Sequence, residues 1–160
     1  MYQSALLVRG LRDYGVEGQI GLEASPEAWT ARLVEVFREV RRVLRADGVA
    51  FIEVGDVYAS GTGRSYHRDY MDGGATTAPD LHQPESRFKP HEIGVKSKDL
   101  IGLPFMLAFA LRQDGWYWRD MIIWNRPNPM PESVTDRTTK AHSYVLLMTK
   151  SARYFWDQEA

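Results

Sequence analysis

The chain has 160 residues, of which 44% are hydrophobic and 12% aromatic, a composition typical of one folded globular domain and not of a disordered segment. The formal net charge is −1, so no overall positive field marks the chain as a nucleic-acid binder, although a local basic patch is compatible with it. Cysteine is absent, which excludes disulfides and thiolate metal sites.

The first 24 residues carry weak signals. Ala5–Val8 is a short apolar run that could form a strand, and residues 12–15 have the composition of a turn. Arg9 and Arg12 come early and no long apolar stretch follows, so no signal peptide is predicted. No apolar run approaches the roughly 20 residues that are needed to span a bilayer. We therefore expect a cytoplasmic protein that does not contact a membrane.

The first helix is predicted to begin after Ser25, with Ser25 as its N-cap and Pro26 at its first position. Asp47 and Gly48 are predicted to end it. Arginine and glutamate residues cover one face, which we interpret as a solvated helix surface and not as a surface that reads DNA. Apolar residues at helical spacing form the opposite stripe, which we expect to be buried: Trp29, Leu33, Val36, Phe37, Val40, Val43 and Leu44.

Residues 49–54 follow at once as a predicted strand, and the order helix, tight turn, strand is typical of a layered α/β fold. Glu53 and Asp56 lie at the carboxyl end of this strand, where open α/β sheets bind their ligands. Asp56 is therefore a candidate to meet a substrate or to orient a loop near a site. The alternative is that its carboxylate caps the turn that follows, and sequence position favours neither.

Residues 57–95 are rich in glycine and proline and show little periodicity, so we predict a long flexible loop or an insertion. Three histidines fall in this segment, His67, His82 and His91. Their spacing gives no helical i, i+4 pair, and no metal site is predicted.

A second helix is predicted at about 103–113, with Pro104 in its first turn and Asp114-Gly115 at its end. A strand at 118–125 follows, so the order helix, turn, strand occurs twice. The last strand, around Tyr144–Met148, has no helix before it, and we expect the last two strands to be antiparallel neighbours. The apolar stripe of the second helix comprises Leu103, Met106, Leu107, Ala110 and Leu111.

A polar loop joins these two strands. Prolines at 127, 129 and 131 fix φ and extend the residues before them, so the loop should be stiff and projecting. Its polar side chains could bond base edges or phosphates of DNA, and the alternative is a structural crossover loop. The candidate DNA-binding residues are Arg126, Asn128, Ser133, Arg137, Lys140 and His142. Aromatic residues nearby could stack on bases but at strand spacing are more often core or sheet surface: Trp116, Tyr117, Trp118 and Trp124.

Four stretches resemble the DNA amino-methyltransferases that modify adenine N6 or cytosine N4, in the circularly permuted type whose catalytic motif comes first. They are GLRDYG (10–15), RRVLRADGVAFIEVGD (41–56), KSKDLIGLPFMLAFALRQDGWYWRDMIIWNRPNPMPES (96–133) and HSYVLLMTKSARYFWD (142–157). The resemblance implies an α/β fold, with a partial Rossmann-like methyltransferase sheet and an antiparallel strand pair at its C-terminal side. It also implies S-adenosylmethionine as cofactor, double-stranded DNA as partner and a single, incomplete methyltransferase domain over residues 1–160.

The chain departs from the family pattern at both ends. The family's S/D-P-P-Y tetrapeptide falls on Ala5, Leu6, Leu7 and Val8, and none of the four matches. The resemblance implies that this tetrapeptide accepts hydrogen bonds from the target amino group and stacks an aromatic ring on the flipped base, which Ala5 and Val8 cannot do. The glycine-rich F-x-G-x-G turn that should follow Asp157 and hold S-adenosylmethionine is also absent.

These departures lead us to expect a chain that has no intact catalytic residues and is inactive by itself. Two alternatives remain: a non-catalytic remnant that binds DNA or a partner through residues 126–142, and one half of a split enzyme that another polypeptide completes. Missing sheet neighbours would leave strand edges unpaired, so we also expect a homodimer or a complementing methyltransferase fragment as partner.

Overall fold

The computed structural model describes residues 15–59, 93–129, 131–132 and 134–159. The predictions for Ala5–Val8, for the three histidines and for Ser133 lie outside these residues. The described elements are, in chain order, α1 (Pro26–Val43), β1 (Val49–Val54), α2 (Leu103–Gln113), β2 (Tyr117–Asn125) and β3 (His142–Thr149).

Helix α1 begins where the sequence predicts. The side chain of Ser25 accepts a hydrogen bond from the backbone N–H of Ala28 at 3.1 Å, and Pro26 is the first helical residue. The helix ends at Val43, four residues before the predicted stop at Asp47.

The buried face of α1 differs from the predicted stripe at its C-terminal end. The buried residues are Pro26, Trp29, Thr30, Leu33, Val34 and Phe37. Val43 is 71% exposed, so its prediction as a core residue is wrong. At 3.6 residues per turn, Val43 lies about a third of a turn away from the centre of the buried face, and it also lies at the end of the helix.

The three strands form one sheet in the order β1-β3-β2, and β3 is antiparallel to both neighbours. The predicted antiparallel pairing of the last two strands is confirmed, with Ile122 opposite Val145. In addition, β3 pairs with β1, where Ile52 lies opposite Leu146. Since β3 runs against both, β1 and β2 point in the same direction and their carboxyl ends lie at the same edge of the sheet. Mixed helices and a sheet agree with the predicted α/β class.

Both helices pack on one face of the sheet and form a single core with it. Helix α2 contributes Leu103, Leu107, Ala108 and Leu111 to this core, whereas the predicted stripe residues Met106 and Ala110 are only half-buried. The sheet contributes Ile52 and Val54 from β1 and Leu146 and Met148 from β3.

The opposite face of the sheet carries several apolar side chains besides the polar Glu53, Asp120 and Ser143, and neither described helix covers it. Phe51, Ile122 and Trp124 from the outer strands are 52%, 39% and 50% exposed, and they flank the buried side chains of Val145 and Leu147 on the central strand. We call these five residues the open sheet face.

Neither described helix could cross a lipid bilayer, because neither combines the necessary length with an apolar sequence.

Candidate functional site

The candidate site lies at the sheet edge where β1 and β2 end and β3 begins. Ligands of open α/β sheets bind beyond the carboxyl ends of such strands. Three segments meet here: residues 55–59 after β1, the start of α2, and the β2–β3 loop, by which we mean residues 126–141. The segment after β1 is bound to the segment before α2, since the Ile101 N–H donates to the Val57 carbonyl at 3.0 Å and Tyr58 forms a bridge with Leu100.

Asp56 joins β1 to the N-terminus of α2. Its buried carboxylate accepts hydrogen bonds from the backbone N–H groups of Val57 at 2.9 Å, Gly102 at 3.0 Å and Leu103 at 3.1 Å. Gly102 is the N-cap of α2, has a φ of +85° and offers no side chain, so Asp56 supplies the cap from 46 residues away. Asp56 therefore both caps the turn that follows it and fixes the helix beside the loop.

Lys140 fastens the β2–β3 loop to the end of β1. Its ammonium Nζ donates a hydrogen bond to the backbone carbonyl oxygen of Asp56 at 2.9 Å. The side chain is half-buried, and this burial lowers the pKa of Lys140, although the nearby Asp56 carboxylate acts in the opposite direction. The ammonium group of Lys140 therefore already has a hydrogen-bond acceptor within the protein.

Arg137 holds the loop at a second point. Its guanidinium forms an ion pair with Glu132, donates to the Thr138 carbonyl at 3.1 Å and lies 4.0 Å from the centre of the Tyr58 ring. Lys98 also pairs with Asp136 of the loop. These contacts tie the loop to the segment after β1, through Tyr58, and to the segment before α2, through Lys98.

Arg126 and Asn128 lie at the surface of the loop. The Arg126 N–H donates to the Ala141 carbonyl at 2.7 Å and closes the base of the loop. Its guanidinium is 53% exposed and lies 3.9 Å from Oε1 of Glu53, which also accepts a hydrogen bond from the Ser143 hydroxyl at 2.9 Å. Asn128 is exposed and has no hydrogen-bond partner among the residues that the structure describes.

His142 belongs to a row of aromatic rings and not to the exposed part of the loop. Its half-buried ring stands edge-on to Tyr144 at 5.0 Å, and Tyr144 in turn meets Phe105 of α2 at 5.4 Å. Among the tryptophans, Trp116 is buried, Trp118 packs edge-on against Phe109, and Trp124 is on the open sheet face.

The site is nearly balanced in charge. Three cations, Arg126, Arg137 and Lys140, are near three carboxylates, Glu53, Glu132 and Asp56. Sequence analysis identified the cations but missed the partnership with Glu132 and Tyr58. The proximity of Glu132 to Arg137 in sequence was a usable signal, whereas nothing in the sequence points to Tyr58.

The pocket at the far end of the sheet does not fit S-adenosylmethionine. This pocket has a volume of about 430 Å³, and arginines at 41, 112 and 119 line it. Their charge opposes the positively charged sulfonium of this cofactor, and the lining has no carboxylate that could bond ribose hydroxyls. In the same ranges of the chain, no group of three His, Asp or Glu side chains is arranged to hold a metal ion.

Comparison with known proteins identifies relatives of one kind. A family model described as DNA methylase matches residues 8–160. The type II methyltransferase M.Cfr9I of Citrobacter freundii is 47% identical over 154 residues, which cover 94% of this chain and 48% of that protein. M.SmaI of Serratia marcescens is 47% identical over 151 residues, which cover 94% and 49%. M.SfiI of Streptomyces fimbriatus is 38% identical over 148 residues, which cover 92% and 30%. No solved structure matches the chain.

The chain spans about half the length of two curated relatives that it matches, since it covers 48% of M.Cfr9I and 49% of M.SmaI. The family match nevertheless runs through every described element, from residue 8 to residue 160, and includes the β2–β3 loop and both segments that hold it. The chain therefore belongs to the DNA methylase family.

Proposed function

We propose that the chain is the scaffold and DNA-contacting part of an S-adenosylmethionine-dependent methyltransferase that acts on adenine N6 or cytosine N4 of double-stranded DNA in the cytoplasm. The observation that carries the proposal is the construction of the β2–β3 loop. It is fastened at Lys140, Arg137 and the Arg126 backbone, while the Arg126 guanidinium and Asn128 are left at the surface.

This construction suggests two roles among the residues that sequence analysis selected. Arg126 and Asn128 are proposed to contact DNA, because an exposed guanidinium can bond phosphate or guanine and an exposed amide can bond adenine. Arg137 and Lys140 are proposed to position the loop, since their charged groups already have partners in the protein. Ser133 and His142 stay as predicted contacts, with Ser133 outside the described residues.

The chemistry of methyl transfer is proposed to need residues that this chain does not offer. S-adenosylmethionine would supply the methyl group, and the arginine-lined pocket at the far end of the sheet does not fit it. The family's catalytic tetrapeptide falls on Ala5–Val8, whose side chains cannot accept a hydrogen bond from the target amino group. We therefore expect no methyl transfer to DNA by the purified chain, and a measured incorporation of labelled methyl groups would contradict this.

A second candidate function is one half of a split enzyme. One observation favours it: Phe51, Ile122 and Trp124 of the open sheet face are exposed, and no described helix covers them. Exposed apolar side chains grouped on one sheet face are typical of a surface that another polypeptide covers.

The DNA-contact proposal is tested by the substitution Arg126→Gln. Binding of a fluorescently labelled DNA duplex should weaken, and the slope of log affinity against log salt should become shallower by about one, if Arg126 meets a phosphate. Arg45→Gln is the matched control, because Arg45 is exposed, lies at the other end of the sheet and carries the same charge. Equal binding by the wild-type protein and Arg126→Gln would remove Arg126 from the DNA contact.

A further inference from the structure

The arginine-lined pocket at the far end of the sheet is not part of the candidate site. It has a volume of about 430 Å³ and lies between the C-terminal ends of α1 and α2 and the start of β2. Arg41 comes from the last turn of α1, Arg112 from the last turn of α2 and Arg119 from β2. No acidic residue is among the lining residues.

Two residues that line this pocket each have a buried hydrogen-bond donor without an acceptor. Nε of Arg41 and Nε1 of Trp116 are both buried, and neither has a hydrogen-bond partner in the part of the chain that the structure describes. Buried donors are nearly always satisfied in folded proteins, because leaving one unpaired costs stability. An acceptor group that binds beside Arg41 and Trp116 would satisfy these two donors.

The other two guanidinium groups lie over aromatic rings. Arg112 lies 5.0 Å from the centre of the Phe109 ring, and Arg119 lies 5.4 Å from the centre of the Tyr154 ring. A contact with an aromatic ring uses none of the five N–H donors of a guanidinium in a conventional hydrogen bond, so these donors can bond an acceptor. Within the described ranges, none of the three arginines forms an ion pair, although six other arginines do so with an acidic neighbour close in sequence or space.

Helix ends alone do not explain these arginines. Cations near a helix C-terminus can serve its free carbonyls and its dipole. At the end of α1, however, Lys150 already does so, with its Nζ donating to the Leu44 carbonyl at 2.6 Å. The nearest acidic side chain at the end of α2, Asp114, is bound by Arg38 at 2.6 Å and is not available to the pocket.

We infer that this pocket binds a phosphate group, whose oxygens would accept from the guanidinium groups of Arg41, Arg112 and Arg119 and from the indole N–H of Trp116. Planar guanidinium groups and a neutral N–H donor match a tetrahedral oxyanion in both charge and hydrogen bonding. The phosphate could be free or part of a DNA backbone, and both present the same oxygens. The inference does not depend on the proposed function, because the pocket lies at the opposite end of β2 from the β2–β3 loop.

The test is calorimetric titration of the purified chain with inorganic phosphate in a phosphate-free buffer of low ionic strength. We expect saturable binding that Arg41→Gln weakens at least about tenfold, the loss that one charge-assisted hydrogen bond implies. Arg42→Gln is the matched control, because Arg42 is the next residue in α1, has the same charge and is exposed beside Glu39. Its affinity for phosphate should be unchanged.

Two further measurements make the result decisive. Trp116→Phe removes only the indole donor and should also weaken phosphate binding. Circular dichroism checks that each variant is folded. If Arg41→Gln does not fold, the variant Arg112→Gln, at an exposed residue, is used in its place. Repeating the titration with a short DNA duplex identifies the source of the phosphate. A weaker duplex affinity in Arg41→Gln indicates that the pocket binds a phosphate of the DNA backbone, and an unchanged duplex affinity indicates that it binds free phosphate. No saturable phosphate binding, or equal losses in Arg41→Gln and Arg42→Gln, would overturn the inference.

Discussion

At the scale of single residues, Asp56 connects parts of the protein that are far apart in sequence. Its carboxylate caps α2 through Gly102 and Leu103, and its backbone carbonyl receives Lys140 from the β2–β3 loop, 84 residues along the chain. The strand end, the helix start and the loop are thereby fixed to one another. The geometry of the proposed DNA contact consequently depends on a residue that need not touch DNA.

We predict that Asp56→Ala lowers the free energy of unfolding by about 1–3 kcal/mol, because it leaves buried backbone donors at the start of α2 without an acceptor. Asp56→Asn should cost less, since one acceptor oxygen remains. Urea denaturation followed by circular dichroism measures both.

The control for this prediction is Asp47→Ala, which removes an exposed carboxylate paired with Arg45 and should change stability by less than about 0.5 kcal/mol. If Asp56→Ala had as small an effect as this control, the capping role of Asp56 would be refuted.

At the scale of elements, the last strand in sequence is the central strand of the sheet. β3 pairs with β2 along one side and with β1 along the other. Its residues Val145 to Thr149 are all buried, whereas exposed residues occur in both outer strands. Apolar side chains on both faces suit a strand in the interior of a sheet, which explains why β3 and not β2 is placed beside β1.

We predict that Leu146→Ala destabilises the protein by about 2–5 kcal/mol, the usual cost of truncating a fully buried leucine. Leu146 is 0% exposed and belongs to the core shared by both helices. The comparison variant is Ile123→Ala on the neighbouring strand, where the side chain is 55% exposed and the loss should be under about 1 kcal/mol.

Thermal and urea unfolding of the two variants distinguish a central from a peripheral strand. Similar losses of unfolding free energy in Leu146→Ala and Ile123→Ala would contradict the central position of β3 in the core.

At the scale of the whole molecule, the described residues form a sheet and a layer of helices on one of its faces, and we propose that they are part of a larger assembly. Helices cover one face of the sheet, and the open sheet face presents Phe51, Ile122 and Trp124 to solvent. M.Cfr9I and M.SmaI are each about twice as long as the matched region. The remaining half of such a protein is the occupant that we expect for this face, and it would also bring the residues that bind S-adenosylmethionine.

We predict that the part of M.Cfr9I that this chain does not match, made as a separate polypeptide, binds the chain through the open sheet face. Phe51→Asp and Trp124→Asp should each weaken the complex about tenfold or more, because each replaces an apolar side chain that binding would bury with a charge. Val43→Asp is the control, since Val43 is exposed on α1 and away from this face.

Light scattering and calorimetry decide among the outcomes. A complex that Val43→Asp weakens as much as Phe51→Asp would exclude the open sheet face as the binding surface. If the chain instead forms a dimer by itself and Phe51→Asp dissociates this dimer, a second copy of the chain covers the open sheet face and the split-enzyme proposal fails.

The sequence by itself determined the features that depend on neighbours along the chain. Ser25 and Pro26 marked the start of α1, apolar spacing located both helices, and the run of matching stretches led to the family. Caps and periodicity act within one or two helical turns, so they can be recognised without knowing the fold.

Only the tertiary structure decided which side chains meet across long separations. Sequence spacing did not reveal that β3 lies between β1 and β2, that Asp56 caps α2, or that Arg137 and Lys140 hold the loop while Arg126 and Asn128 remain at its surface. It also led to the prediction of Val43 as a core residue, since helical spacing gives the order of residues around α1 but not where its partners end. These contacts depend on how the layers pack, and packing is a property of the whole chain and not of any local pattern.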